Sequence, residues 1–152
     1  MKYVTAAFAC LLAMPSFAAA PSALNAAGTQ VLVAAPVKGV RLLALWSLDC
    51  AYCEENLSAL AAFQRSHADV ELVFVATDPI SESPALEARL KAAGLDAVPS
   101  RAYADATPER INFLIDPTWG GETPRTLAIK ADGTRKGVSG ALDAGRIARL
   151  VD

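Results

Sequence analysis

The chain is poor in histidine and in thiols. Among its 152 residues His67 is the single imidazole, and Cys10, Cys50 and Cys53 are all the cysteines. A closed zinc site needs four ligands, so two cysteines and His67 are too few. Most Ser-His and Cys-His schemes would also have to use that one histidine. Excess positive charge is missing too: 14 Lys and Arg stand against 16 Asp and Glu, for a net charge of -2. No basic stripe is available to neutralise phosphates, and nucleic acid is not an expected partner. Internal repeats and low-complexity tracts are absent.

What the chain has is apolar material, 53% of it, with 20% charged residues, which suits one globular domain with a real core. The N-terminus stands apart. Lys2 provides a positive start, Val4 to Met14 is apolar, and Pro15-Ser16-Phe17-Ala18-Ala19-Ala20 offers small residues for a signal peptidase. We read residues 1–20 as a signal peptide cut after Ala18, residues 21–30 as a flexible lead-in and residues 31–152 as the domain. The apolar run falls short of the about 20 residues that span a membrane, so cleavage is expected rather than retention as an anchor. Cys10 lies inside that run, where it reads as a small apolar residue and not as a lipoprotein cysteine. Removing it leaves Cys50 and Cys53 as the only thiols. A lone Cys-x-x-Cys closes too short a loop to be a useful structural staple, which points to chemistry.

The pair sits in Trp46-Ser47-Leu48-Asp49-Cys50-Ala51-Tyr52-Cys53, between an apolar run, Val40 to Trp46, and a segment in which Leu57, Leu60, Ala61 and Phe63 recur at helical spacing. Strand, Cys-x-x-Cys, helix (about Ala51 to His67) is a layout in which the cysteines open a helix. There the positive end of the helix dipole favours the thiolate of Cys50, while Cys53 falls one turn later. Histidine does not follow Cys53, because Glu54 holds that place, and this excludes c-type haem attachment.

This arrangement resembles the active site of the thioredoxin superfamily, and Trp46 four residues before the first cysteine is similar to the exported TlpA/ResA-like thiol-disulfide oxidoreductases. The resemblance spans about residue 31 to the C-terminus. It implies an α/β fold, a central mixed β-sheet flanked by helices, with an inserted helical segment between the βαβ and ββα halves. It also implies a cis-proline at Thr123-Pro124, beside the cysteines, where the residue before the proline is free to pair with an extended substrate.

The rest of the chain fits that order. Gln30 to Ala35 is expected as a short strand, and Val70 to Ala76 as a strand covered on both faces and parallel to Val40–Trp46. Ser83 reads as the N-cap of a helix, Ala85 to Ala93, that stops at Gly94. Val98 to Tyr103 reads as a short edge strand and Thr107 to Leu114 as a helix. Arg125–Lys130 and Thr134–Val138 form a hairpin, and Ala144–Val151 closes the chain as an amphipathic helix.

The candidate catalytic residues are Cys50 and Cys53, and the candidate substrate-binding residues are Thr123, Pro124, Tyr52 and Trp46. Four places depart from the family pattern, with Asp49, Ala51-Tyr52, Asn56 and Ser58 where relatives carry tryptophan, a proline within the dipeptide, glutamate and proline. Asn56 removes the family's proton carrier, which leaves Glu54 or Glu55 as a relay, or else as first-turn acids complementing the helix dipole. Trp119 reads as a groove wall or as loop packing. His67 reads as a residue at a helix end. The expectation is a periplasmic monomer with no cofactor and no metal. It exchanges disulfides with exported proteins, apocytochrome c among the candidates, and is re-reduced by a membrane donor. Asp49, Glu54 and Glu55 oppose the thiolate and favour a reductant over a strong oxidant. The rival reading is a copper chaperone or other metal-binding module on the same fold.

Overall fold

The computed structural model describes residues 20–152, and the expected signal peptide and its cleavage point lie outside the described residues except for Ala20. The elements are β1 (Ser22–Leu24), α1 (Ala26–Leu32), β2 (Val40–Trp46), α2 (Cys53–Arg65), β3 (Val70–Pro79), α3 (Ser83–Ala92), β4 (Ser100–Tyr103), α4 (Pro108–Ile115), β5 (Arg125–Lys130), β6 (Arg135–Ser139) and α5 (Ala144–Val151). They build one six-stranded sheet in the order β1-β4-β3-β2-β5-β6. The strands β1, β4, β3 and β2 run parallel, while β5 pairs antiparallel with β2 and β6 with β5.

The apolar runs of β2 and β3 are continuous because helices cover both faces of the sheet. Val40, Leu42, Ala44 and Trp46 face one layer with Leu57, Leu60 and Phe63 of α2, Leu86 and Leu90 of α3, and Ile147 and Leu150 of α5. Leu43 and Leu45 face the other, with Leu32 of α1 and Ile111 and Ile115 of α4. Both parallel strands end at the edge of the sheet that carries the cysteines, where open α/β sheets place their sites. No helix of the described residues is long and apolar enough to cross a membrane.

Four expectations need correction. Residues 21–30, expected as a flexible lead-in, carry β1 and most of α1, and the strand expected at Gln30–Ala35 is the end of that helix and a turn. Two local devices account for this: the Asn25 side chain accepts from the Gly28 amide at 2.8 Å as an N-cap, and β1 pairs with β4. Because β1 lies outside it, β4 is not an edge strand. Ser83 is not the cap of α3: a 3-10 turn, Ile80–Glu82, feeds directly into the helix, and Ser83 is already helical at φ -46° and ψ -42°.

Candidate active site

The helix α2 opens on Cys53, two residues later than expected, and Tyr52 stands at its N-cap position. Cys50 lies in the preceding turn, held by its amide to the Ser47 carbonyl at 3.3 Å and joined to Cys53 by a disulfide with Cα atoms 5.4 Å apart. Cys53 is 1% exposed, whereas Cys50 is partly exposed. The asymmetry makes Cys50 the sulfur that an incoming group can reach.

The turn before Cys50 is tied down by side chains from distant elements. Asp78, at the end of β3, accepts from the Leu48 amide at 3.0 Å, and the Thr77 hydroxyl donates to the Trp46 carbonyl at 3.4 Å. Arg89 of α3 donates to the Leu48 carbonyl at 3.4 Å and pairs with Glu54, also at 3.4 Å. Both members of that pair are about half exposed, so it contributes between 0 and about 1 kcal/mol.

The second loop approaches from the other side. The Thr123–Pro124 peptide is cis. The Thr123 hydroxyl lies 3.2 Å from that of Ser47, which joins the proline loop to the cysteine loop across 76 residues. The Pro124 carbonyl accepts from the Gly140 amide at 2.8 Å. Below it, Arg125 and Asp116 form an ion pair in which each side chain is about nine-tenths buried, and Arg125 also donates to Ser139 at 2.8 Å. Burial alone would raise the Asp116 carboxyl, but hydrogen bonds from Thr118 and Arg125 outweigh it and hold the group below its ordinary value. The Ser139 hydroxyl donates to Glu122 and lowers that carboxyl as well. Gly137 leaves room here, since a Cβ on it would crowd the Arg125–Asp116 pair. Trp119 is loop packing and not a groove wall: it is 6% exposed, with its indole N–H donating to the Glu122 carbonyl at 2.8 Å.

A small hollow of about 10 Å³, room for roughly one water, opens beside the disulfide, lined by Trp46, Ser47, both cysteines, Glu54 and Leu57 on one side and by Arg89, Leu90, Ala93 and Leu95 of the α3 region on the other. The structure thus gathers Trp46, Cys50, Cys53 and Glu54 in one place, with Thr123 and Pro124 beside them through Ser47. Tyr52 is 68% exposed next to the disulfide. Glu55 is exposed and does not line the hollow. Asn56, where the resemblance leads to an expectation of glutamate, is fully buried; it donates to the Thr126 hydroxyl at 3.2 Å and accepts from the Leu142 amide at 3.0 Å. It ties α2 to β5 and to the loop before α5, and a neutral amide carries no proton for the thiols.

Sequence reasoning missed Arg89 and Asp78, whose roles depend on where β3 and α3 end relative to the turn. It marked Asn56 only as a departure, although a polar residue on the buried stripe of Cys53, Leu57 and Leu60 was a signal. His67 lies beyond the far end of α2, about 20 Å along the helix from Cys53. There it stacks on Phe63 with ring centroids 3.7 Å apart. It is therefore remote from the two sulfurs, and among the described residues no three His, Cys, Asp or Glu side chains converge as metal ligands.

Fold and site together define a thioredoxin-like architecture with a disulfide at the mouth of α2. No family model matches the chain, and no curated protein matches it in sequence. Solved structures do match. A secreted disulfide oxidoreductase of Mycobacterium tuberculosis homologous to E. coli DsbE is 20% identical, over 75% of this chain and 84% of that one, with a TM-score of 0.58. StoA from Bacillus subtilis is 20% identical over 77% and 85%, with a TM-score of 0.59. A thiol:disulfide interchange protein of the thioredoxin family from Chlorobium tepidum is 20% identical over 74% and 77%, with a TM-score of 0.59. At such identities the likeness is one of fold.

Proposed function

We propose that this chain is a thiol-disulfide oxidoreductase working through Cys50 and Cys53. The observation that carries the reading is the bonded pair at a helix N-terminus, with Cys50 partly exposed and Cys53 enclosed. In the reduced protein the Cys50 thiolate attacks one sulfur of a partner disulfide. A bond forms between Cys50 and that sulfur, the partner's bond breaks, and its other sulfur leaves as a thiolate that takes a proton. Cys53, once deprotonated, attacks Cys50, re-forms the Cys50–Cys53 bond and releases the reduced partner. Glu54, which lines the same hollow as both cysteines, is the carboxylate suited to take the Cys53 proton. Thr123 and Pro124 offer backbone to an extended partner segment, with the exposed Tyr52 flanking the bond; Trp46, expected as a partner contact, is 2% exposed and packed in the core behind the disulfide, and does not meet the partner.

The protein acts as a reductant in the periplasm, on exported proteins carrying disulfides, and a membrane donor restores its thiols. Asp49, Glu54 and Glu55 outnumber Arg89 around Cys50, which disfavours the ionised reduced form and supports a low potential. Export is supported by the apolar run and small residues of the first twenty positions. Insulin reduction with dithiothreitol tests the chemistry. The native chain accelerates it, Cys50→Ser abolishes the acceleration, and Cys53→Ser accumulates a mixed disulfide that mass spectrometry identifies. Acceleration that survives Cys50→Ser defeats the reading. A potential near -120 mV defeats the reductant assignment alone.

A further inference from the structure

Basic residues are in slight deficit in this chain, yet three of them crowd one cleft apart from the disulfide. The cleft, about 170 Å³, runs between β6 and α5. Buried Leu142 and Leu150 and half-buried Val138 give it apolar walls, the exposed Lys136, Arg146 and Arg149 rim it, and no carboxylate side chain lines it. The Lys136 ammonium donates to the Arg149 carbonyl at 3.3 Å and so spans the cleft, while the Arg146 guanidinium donates to the Ala141 carbonyl at 2.8 Å. Each keeps further N–H donors. None of the three belongs to an ion pair among the described residues. Asp143, the acid at the head of α5, is engaged as its N-cap, accepting from the Arg146 amide at 2.8 Å. Arg146 and Arg149 stand one turn apart, where like charges repel, and Arg146 lies in the first turn, where the helix dipole disfavours a cation. Cations gathered at such a cost, without a counter-charge of their own, point to an anion from outside.

We propose that this cleft is a subsite for an acidic side chain of the partner, about three or four residues from the cysteine that Cys50 attacks. The proposal rests on the exchange reading above, since the mixed disulfide with Cys50 is what brings the partner segment over Pro124. The loop after β6 connects the two places: the Gly140 amide donates to the Pro124 carbonyl at 2.8 Å, and Leu142, two residues on, lines the cleft. Two residues span at most about 7 Å, so the cleft opens about 10 Å from the proline, which an extended segment covers in about three residues. A partner glutamate would lay its methylenes against Leu142 and Leu150 and set its carboxylate among the three cations. Glutamine, of the same size, gains the packing without the charge, and lysine meets like charge. The cleft thus selects among partner disulfides by an acid at a distance from the sulfur.

The test uses the reduced native protein and peptide disulfides that differ at one position, about three or four residues before or after the reactive cysteine, which holds glutamate, glutamine or lysine. In one of the two placements the glutamate peptide is reduced about fivefold faster, as kcat/KM, than the glutamine peptide, and the lysine peptide slowest. High salt shrinks that advantage. In the variant carrying Lys136→Gln, Arg146→Gln and Arg149→Gln the glutamate-to-glutamine ratio falls close to one while the glutamine peptide keeps its native rate; Arg146→Gln alone lowers the ratio in part, should the triple variant not fold. Equal rates in both placements overturn the subsite while leaving the exchange reading intact, as does a ratio that survives in the triple variant. Equal peptide rates together with sedimentation on phosphatidylglycerol vesicles by the native protein, and not by the variant, give the cations to a membrane surface and overturn the subsite as well. Failure to reduce any of the peptides overturns both readings, and is told apart by that breadth.

Discussion

Two loops meet at the disulfide, and they are held in opposite ways. The cysteine turn hangs on single hydrogen bonds of 3.0 to 3.4 Å to Asp78, Thr77 and Arg89, and its nearest ion pair is half in water. The proline loop stands on a buried ion pair, Arg125 with Asp116, braced by Ser139, Glu122 and Trp119. A site that makes and breaks a bond between two side chains of its own turn benefits from a turn that adjusts cheaply. The surface proposed to receive the partner's backbone benefits from staying where it is. Stability concentrated under Pro124 and sparse around Cys50 is the arrangement these contacts describe.

The sharpest way to break that comparison is Asp116→Asn. It leaves the Arg125 guanidinium buried without its main counter-charge and is expected to cost about 3 kcal/mol of unfolding free energy, read by urea denaturation. The pH dependence follows from the sign of the shift. The Asp116 carboxyl titrates lower in the folded protein than its ordinary value of 3.8, so its contribution is complete above about pH 5 and is lost as pH falls through the folded value. The native protein therefore loses stability more steeply below pH 4 than the Asn variant does. If Asp116→Asn costs less than 1 kcal/mol, the proline loop is no more firmly anchored than the cysteine turn.

A middle-sized effect belongs to the wall of the hollow. Gly94→Ala places a side chain at φ +67°, but its Cβ meets nothing within 4 Å, so the cost is conformational alone, about 1 kcal/mol and about 4 °C in the thermal midpoint. A loss much above that would mean that the added Cβ also disturbs the packing of Leu90 and Leu95 in the core.

Much of this was readable in the chain. The runs Val40–Trp46 and Val70–Ala76 had to be covered on both faces, and the spacing of Leu57, Leu60 and Phe63 allowed only a helix facing them. The hairpin and α5 followed from turn residues and amphipathic spacing. What escaped was held by distance. The strand β1 has three residues and no apolar pattern, and it exists because β4, some 80 residues later, offers an edge. The Ser47–Thr123 link and the reach of Arg89 to Leu48 join segments whose proximity only the folded sheet creates. Local pattern announces elements, whereas contacts between loops are a property of how those elements pack.

The smallest expected effect separates electrostatics from stability at the cysteine turn. Arg89→Gln removes the cation that faces Glu54 beside the disulfide. Since the pair is half exposed, unfolding free energy changes by less than about 1 kcal/mol. The potential moves in a defined direction: losing a positive charge makes the Cys50 thiolate less favourable, the reduced form rises in energy, and the protein becomes more reducing, by about 20 mV or less. Glu54→Gln shifts the potential the opposite way by a similar amount, because it leaves Arg89 unopposed near the sulfur. Equilibration with glutathione or dithiothreitol reads both. If the two variants move the potential in the same direction, the charges act by holding Leu48 in place and not through the thiolate, and the turn is then stiffer than its long hydrogen bonds suggest.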